Sequence, residues 1–252
     1  MNTISDRARI FDLPVDIVTF PDILQRVDKA IKTGDQIKIM YANIHTLNLA
    51  YLSARYHDIL GSADLVYCDG AGVRWGARLL GYRLEPRMTG ADWIWDLCAR
   101  AEKKEYSIFF LGAEEGVSQQ ATGKLRDAFP GLRVAGYHHG FFAKEGEENN
   151  DVVELINRSD ADILLVGFGS PLQEEWIDEN AQRLRIPVIW GMGAVMDYVA
   201  GKVPRAPRWM LDHSLEWLYR LLVEPGRLWK RYLIGNPLFF FRIIKYKFTG
   251  RF

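Results

Sequence analysis

The sequence predicts an α/β fold: a Rossmann-like, doubly wound and mostly parallel sheet, with a small basic helical appendage at its C-terminal end. Three observations carry this. Short β-rich runs alternate with helical patterns over residues 1–202, the signature of βαβ units. The runs are almost continuously apolar, as in strands covered on both faces. The alternation then stops, and residues 203–252 are basic and aromatic.

In chain order, a helix is expected over residues 22–32, then the strand IKIMY at 37–41, a helix over 46–60 and the strand LVYC at 65–68. Helices over 71–80 and 91–104 lead to the strand YSIFFLG at 106–112. A helix over 115–129, the strand RVAGY at 133–137 and a helix over 150–157 precede the strand DILLVGFG at 162–169. A helix over 174–184, the strand PVIW at 187–190 and one or two helical turns after Gly193 complete a body of residues 1–202. Val203-Pro204-Arg205-Ala206-Pro207-Arg208 reads as a stiff basic linker into an appendage of residues 203–252. There, Ser214 is placed to cap a helix over 215–223, Glu224-Pro225-Gly226 to stop it, and Asn236-Pro237 to break a second helix that starts near Arg227.

Lys and Arg balance Asp and Glu at 32 each. The balance hides an asymmetry. Residues 203–252 hold ten Lys/Arg against three Asp/Glu, a charge of +7, and residues 1–202 carry −7. A basic aromatic tail on an acidic body points to an anionic partner; a membrane surface fits best, with an acidic protein or nucleic acid as the alternatives. Cys68 and Cys98 show neither zinc spacing nor a disulfide framework. The N-terminal stretch lacks an apolar signal region, and no apolar run is long enough to span a bilayer, so a cytosolic protein peripheral to a membrane is expected.

Candidate chemistry sits at the strand ends, where open α/β sheets bind ligands. Glycines follow three strands, at Gly112, at Gly167 and Gly169, and at Gly191 and Gly193. They either let backbone approach phosphate at a helix N-terminus or simply permit tight turns. None forms a strict dinucleotide or Walker motif. Asp69 ends a buried strand, where a carboxylate serves as a general base or caps the next helix. Asn43 and Thr46 either bind sugar hydroxyls or cap the helix that follows. Gln173, in the first turn of its helix, is a candidate for a nucleobase or phosphate contact. The pair His138-His139 has no further Cys or His to support a metal site.

Four blocks then coincide: Asp69-Gly70-Ala71-Gly72; Arg87-Met88-Thr89-Gly90-Ala91-Asp92; Gly169-Ser170-Pro171-Leu172-Gln173-Glu174-Glu175-Trp176; and Gly191-Met192-Gly193-Ala194-Val195-Met196-Asp197, continuing to Arg205-Ala206-Pro207. With Leu215-Glu216-Trp217-Leu218-Tyr219-Arg220 in the appendage, they closely resemble the WecG/TagA/CpsF glycosyltransferases, glycosyltransferase family 26. The resemblance runs from about residue 11 to residue 231. It implies an inverting, metal-independent enzyme without cofactor that moves a hexose from a UDP-sugar donor to a polyprenyl-diphosphate-linked acceptor. It implies catalytic roles for Asp69 as base and for Asn43, Arg87 and Gln173. Substrate contacts are expected from Thr46, Gly112, Gly169, Gln173, Gly191, Gly193 and Asp197. Acceptor-diphosphate contacts are expected from Arg220, Arg227 and either Lys230 or Arg231, with Arg231 preferred.

One departure stands out: many members carry threonine where this chain has Tyr41. The donor sugar therefore stays open between an N-acetylmannosamine type and glucose. The expected setting is the cytoplasmic face of the plasma membrane, in cell-surface polysaccharide synthesis, with no nucleic-acid partner and homo-oligomerisation open. The competing readings are a dinucleotide-dependent oxidoreductase, which needs an early glycine fingerprint that Ala42-Asn43 lacks, and a nucleotide-binding membrane scaffold without activity.

Overall fold

A computed structural model describes residues 7–85 and 88–250. Six parallel strands form the main sheet: β3 (Ile37–Ala42), β4 (Leu65–Cys68), β5 (Ser107–Gly112), β6 (Arg133–His138), β7 (Ile163–Gly167) and β8 (Val188–Gly191), in the order β4-β3-β8-β7-β5-β6. Alternate residues of each strand enter opposite cores. Met40, Val66, Leu164 and Ile189 point to one, and Ile39, Leu65, Leu165 and Trp190 to the other. Both faces are dry, which is why the strands read as continuous apolar runs. The expected α/β class and parallel sheet hold.

The helices are α1 (Phe20–Thr33), α2 (Ile44–Leu52), α3 (Ala54–Gly61), α4 (Ala71–Leu79), α5 (Gly90–Lys104), α6 (Val117–Ala128), α7 (Gly146–Arg158), α8 (Leu172–Asn180) and α9 (Val195–Ala200). The single helix expected over 46–60 is two. Ser53 lies between them in an extended conformation, and its side chain accepts from Tyr56 N at 3.2 Å, capping α3.

An antiparallel hairpin, β1 (Arg7–Ile10) and β2 (Leu13–Asp16), precedes the sheet and was not expected. Its two-residue turn is Phe11-Asp12, both at positive φ. Neither is the glycine or asparagine that announces such turns. Tertiary contacts hold it: the Phe11 ring is fully buried edge-on to Tyr51, Phe239 and Tyr246, and Asp12 accepts from the Tyr246 hydroxyl at 2.8 Å.

The last segment forms α10 (Arg208–Asp212), α11 (Glu216–Val223), α12 (Pro225–Trp229), a π-helical turn over Lys230–Ile234, and α13 (Gly235–Thr249). Ser214 does not cap α11; it adopts a left-handed φ of 62°, and Leu215 occupies the cap position without a side-chain bond. α11 ends at Val223, ahead of Glu224-Pro225-Gly226 as expected, and Pro225 then begins α12, since proline suits a first turn. Asn236-Pro237 does not break the helix that follows. Pro237 sits in the first turn of α13, directly after the π-helical turn, where i→i+5 bonding accommodates a missing N–H. Phe239 and Ile243 of α13 are fully buried in the same core as Met40 and Val66, contributing about 3–6 kcal/mol together by area removed from water. Gly76 of α4 permits this contact, since a Cβ there would lie 2.7 Å from the Phe239 ring. No helix among the described residues is long and apolar enough to cross a membrane.

Candidate active site

A cleft of about 860 Å³ opens past the C-terminal ends of β3, β4, β7 and β8, and the α11–α12 segment forms its far wall. That volume suits a nucleotide-sized ligand. Parallel register sets the first pair of groups. Ala42 pairs with Cys68, and Asp69 N donates to Ala42 O at 2.8 Å, so Asn43 and Asp69 leave the sheet side by side. Asn43 Oδ1 accepts from His45 N and Thr46 N at 2.9 and 3.0 Å, while Thr46 Oγ1 accepts from Asn43 N at 2.8 Å. This reciprocal cap fixes the Asn43 side chain. Its Nδ2 then faces Asp69 Oδ2 at 3.4 Å. Asn43 is thus both cap and neighbour of the carboxylate. Asp69 is not the α4 cap; Gly70 holds that position, at φ 98°, with no side-chain bond.

The turns after β7 and β8 form the floor. Gln173 Oε1 accepts from Gly193 N at 3.0 Å, and Gln173 Nε2 donates to Glu174 Oε1 at 2.7 Å. Ser170 Oγ donates to the same oxygen at 2.8 Å and lies 3.3 Å from the Tyr41 hydroxyl. Burial pushes the Glu174 carboxyl up to about 7, against the hydrogen bonds from Gln173 and Ser170. Burial, with the charge of Arg231, pushes the His45 imidazole down to about 4, so the ring is neutral at neutral pH.

Three arginines converge from the appendage: Arg220 on α11, Arg227 on α12 and Arg231 in the π-helical turn. Arg220 is mostly buried, its guanidinium 5.5 Å from the Tyr198 ring centroid and 3.9 Å from Glu224. Its Nε is buried with no hydrogen-bond partner among the described residues. Arg227 pairs with Glu224 at 2.7 Å. Arg205 ties this wall to the body through Glu216, at 3.0 Å, and Asp92.

Asn43, Asp69, Gly169, Gly193, Arg220, Arg227 and Arg231 therefore share one cleft. Arg231 lines it, whereas Lys230 lies over the Trp229 ring. Thr46, Gly112, Gln173, Gly191 and Asp197 are not among the lining residues. The Thr46 hydroxyl is spent on the cap, and Gln173 is fully buried between the two floor turns. Gly112 serves close strand approach; a Cβ there would meet Gly167 O at 2.4 Å. Asp197 is half-buried beside Lys202 and Arg227, its carboxyl raised by burial. Arg87 lies outside the described residues. Ser170, Tyr198, Arg205, Trp217 and Tyr232 also line the cleft and were given no site role from sequence. All but Tyr232 lie within the matched stretches. Among the described residues no group of three or more His, Cys, Asp or Glu side chains is arranged to hold a metal ion.

Residues 8–252 match the model of the "Glycosyl transferase WecG/TagA/CpsF family". The N-acetylglucosaminyldiphosphoundecaprenol N-acetyl-beta-D-mannosaminyltransferase of Bacillus subtilis (strain 168) is 34% identical over 190 residues, covering 75% of this chain and 72% of that one. Its namesake from Bacillus spizizenii (strain ATCC 23059 / NRRL B-14472 / W23) is 32% identical over 79% of this chain and 75% of its own length. That from Staphylococcus aureus (strain MRSA252) is 29% identical, covering 97% of both chains.

Proposed function

The chain belongs to the WecG/TagA/CpsF glycosyltransferase family, and on that premise we propose that it transfers a hexose from a UDP-sugar to a polyprenyl-diphosphate-linked acceptor. Membership removes the oxidoreductase alternative. One observation carries the substrate class: the Asp69 carboxylate and three appendage arginines face a single cleft, and Arg220 keeps a buried, unpartnered Nε there. A desolvated guanidinium N–H is costly unless an anion answers it. The relatives' names give their acceptor as a diphosphoundecaprenol-linked sugar, which supplies such an anion.

In the proposed reaction the acceptor hydroxyl attacks the anomeric carbon from the face opposite UDP. The C–O bond to the new sugar forms as the bond to the diphosphate breaks, and Asp69 takes the hydroxyl proton. The Asn43 amide, 3.4 Å from that carboxylate, orients it. Arg220, Arg227 and Arg231 hold the acceptor diphosphate, and Arg87, placed in the active site by the family resemblance, is proposed to stabilise the leaving diphosphate because guanidinium matches its geometry. No step is routed through a metal ion, so transfer persists in excess EDTA; loss with EDTA and recovery with magnesium or manganese would refute this. The exposed side chains of Trp229, Leu233, Phe241, Ile244 and Phe248, with Lys230 and Lys247, form the surface proposed to dock on an anionic leaflet at the cytoplasmic face, where a lipid-linked acceptor resides. The deciding experiment is a panel of UDP-sugars against a polyprenyl-diphosphate-linked N-acetylglucosamine acceptor with mass detection of product. UDP binding without product from any donor would leave only a scaffold.

A further inference from the structure

Below the cleft floor lies a carboxyl group that none of these steps uses. Glu174 is fully buried in the first turn of α8. Its Oε1 takes two hydrogen bonds, from Ser170 Oγ and Gln173 Nε2, at 2.8 and 2.7 Å. Its Oε2 has no hydrogen-bond partner among the described residues. The Tyr56 hydroxyl of α3 lies close to this carboxyl and to Ser170. Tyr41 faces the pair from β3.

Each of the two donors to Oε1 is linked to a residue that lines the cleft. With the Ser170 proton committed to Glu174, the Tyr41 hydroxyl is the donor in its 3.3 Å contact with Ser170. The Gln173 amide, held through its Nε2, presents Oε1 to Gly193 N. Tyr41, Ser170 and Gly193 all line the cleft, and Tyr41 is close enough to Asp69 to feel its charge. One buried oxygen atom thus joins the turns after β7 and β8 to the last turn-facing side chain of β3.

We infer that Glu174 is a positioning residue, whose carboxyl holds Ser170 and Gln173 and through them fixes the Tyr41 hydroxyl and the Gly193 amide in the floor beneath the reacting groups. What that floor binds rests on the function proposed above; the positioning itself does not. The requirement is for an acceptor at Oε1, which a carboxylic acid, a carboxylate or a primary amide oxygen all supply. An apolar side chain of the same length does not, and it leaves the buried Gln173 amide and the half-buried Ser170 hydroxyl without that acceptor.

The test compares Glu174→Gln, Glu174→Met and Ser170→Ala, each checked for folding by near-ultraviolet circular dichroism. Amide hydrogen exchange at Gly193 is read first, because it needs no substrate. Protection at Gly193 falls about tenfold or more in Glu174→Met, the factor expected for one weakened hydrogen bond, and stays near wild type in Glu174→Gln. Ser170→Ala keeps Gly193 protection, since its limb ends at Tyr41. In the transfer assay, Glu174→Met and Ser170→Ala lower kcat/KM by about tenfold with UDP affinity nearly unchanged, and Glu174→Gln stays within about threefold. Unchanged Gly193 exchange in Glu174→Met, or equal damage in Glu174→Gln and Glu174→Met, would overturn the inference. Should Glu174→Met not fold, equal Gly193 protection in Glu174→Gln and wild type supports the role, and lost protection there overturns it. A wild-type protein that transfers no sugar refutes the proposed function alone, because Gly193 exchange still decides the role of Glu174.

Discussion

Replacing Glu174 by Gln should change how stability depends on pH, by an amount the structure sets. Burial lifts the carboxyl from the ordinary 4.5 to about 7 in the folded chain, and the hydrogen bonds it accepts offset this only in part. The folded state therefore binds a proton more tightly than the unfolded state. Stability from this group is intact below about pH 4.5, falls as pH rises toward about 7, and is flat beyond, because the fold then holds a buried carboxylate. A shift of about 2.5 units at 1.36 kcal/mol per unit corresponds to roughly 3 kcal/mol. The Gln variant cannot ionise and keeps an acceptor oxygen for Ser170 and Gln173. Urea unfolding at pH 5 and pH 8 should therefore show wild type losing on the order of 2–3 kcal/mol more than the variant between the two conditions, at equal m-values. Parallel pH profiles for the two proteins would refute the buried, unpaired character of Glu174.

Three further outcomes are expected. Asp69→Asn should fold and bind UDP yet lose transfer by about a hundredfold or more, the usual cost of a general base; near-normal turnover would remove Asp69 from that role. Arg220→Glu and Arg227→Glu should impair transfer to diphosphate acceptors by about tenfold or more while calorimetric UDP affinity changes little, and equal losses in both would place these arginines on the donor instead. Phe241→Glu with Phe248→Glu should abolish sedimentation with anionic vesicles without lowering the melting temperature, because these side chains are 67% and 82% exposed; undiminished vesicle binding would rule this face out. Point variants serve better than deletion of the appendage, which would uncover the core that Phe239 and Ile243 fill.

The β-strands were readable because two dry faces leave little room for polar residues, and the continuous runs at 163–167 and 188–191 say so without any tertiary information. The hairpin was not, because Phe11 carries no local preference for positive φ, the Asp12 that follows it is only a weak signal, and both are held there by residues some two hundred positions away. The proline at 237 misled for the mirror reason: a missing N–H breaks a helix only where the bond is needed, and a π-helical turn had already displaced it. Asp69, Asn43 and the arginines were singled out by the family resemblance; the strand-end position alone left Asp69 open between a base and a helix cap, and the structure gives the cap position to Gly70.

The sequence by itself determined the α/β class, the charge asymmetry with its +7 C-terminal stretch, and, through the matched blocks, the family. The first two follow from local composition and periodicity, which neighbouring residues settle among themselves. Only the tertiary structure decided that Arg231 and not Lys230 faces the cleft, that Gln173 lies buried between two turns instead of in contact with solvent, and that a carboxyl at Glu174 joins them. Those outcomes depend on which backbone groups from distant strands arrive within hydrogen-bonding distance, a quantity set by sheet register and helix packing and carried by no single stretch of chain.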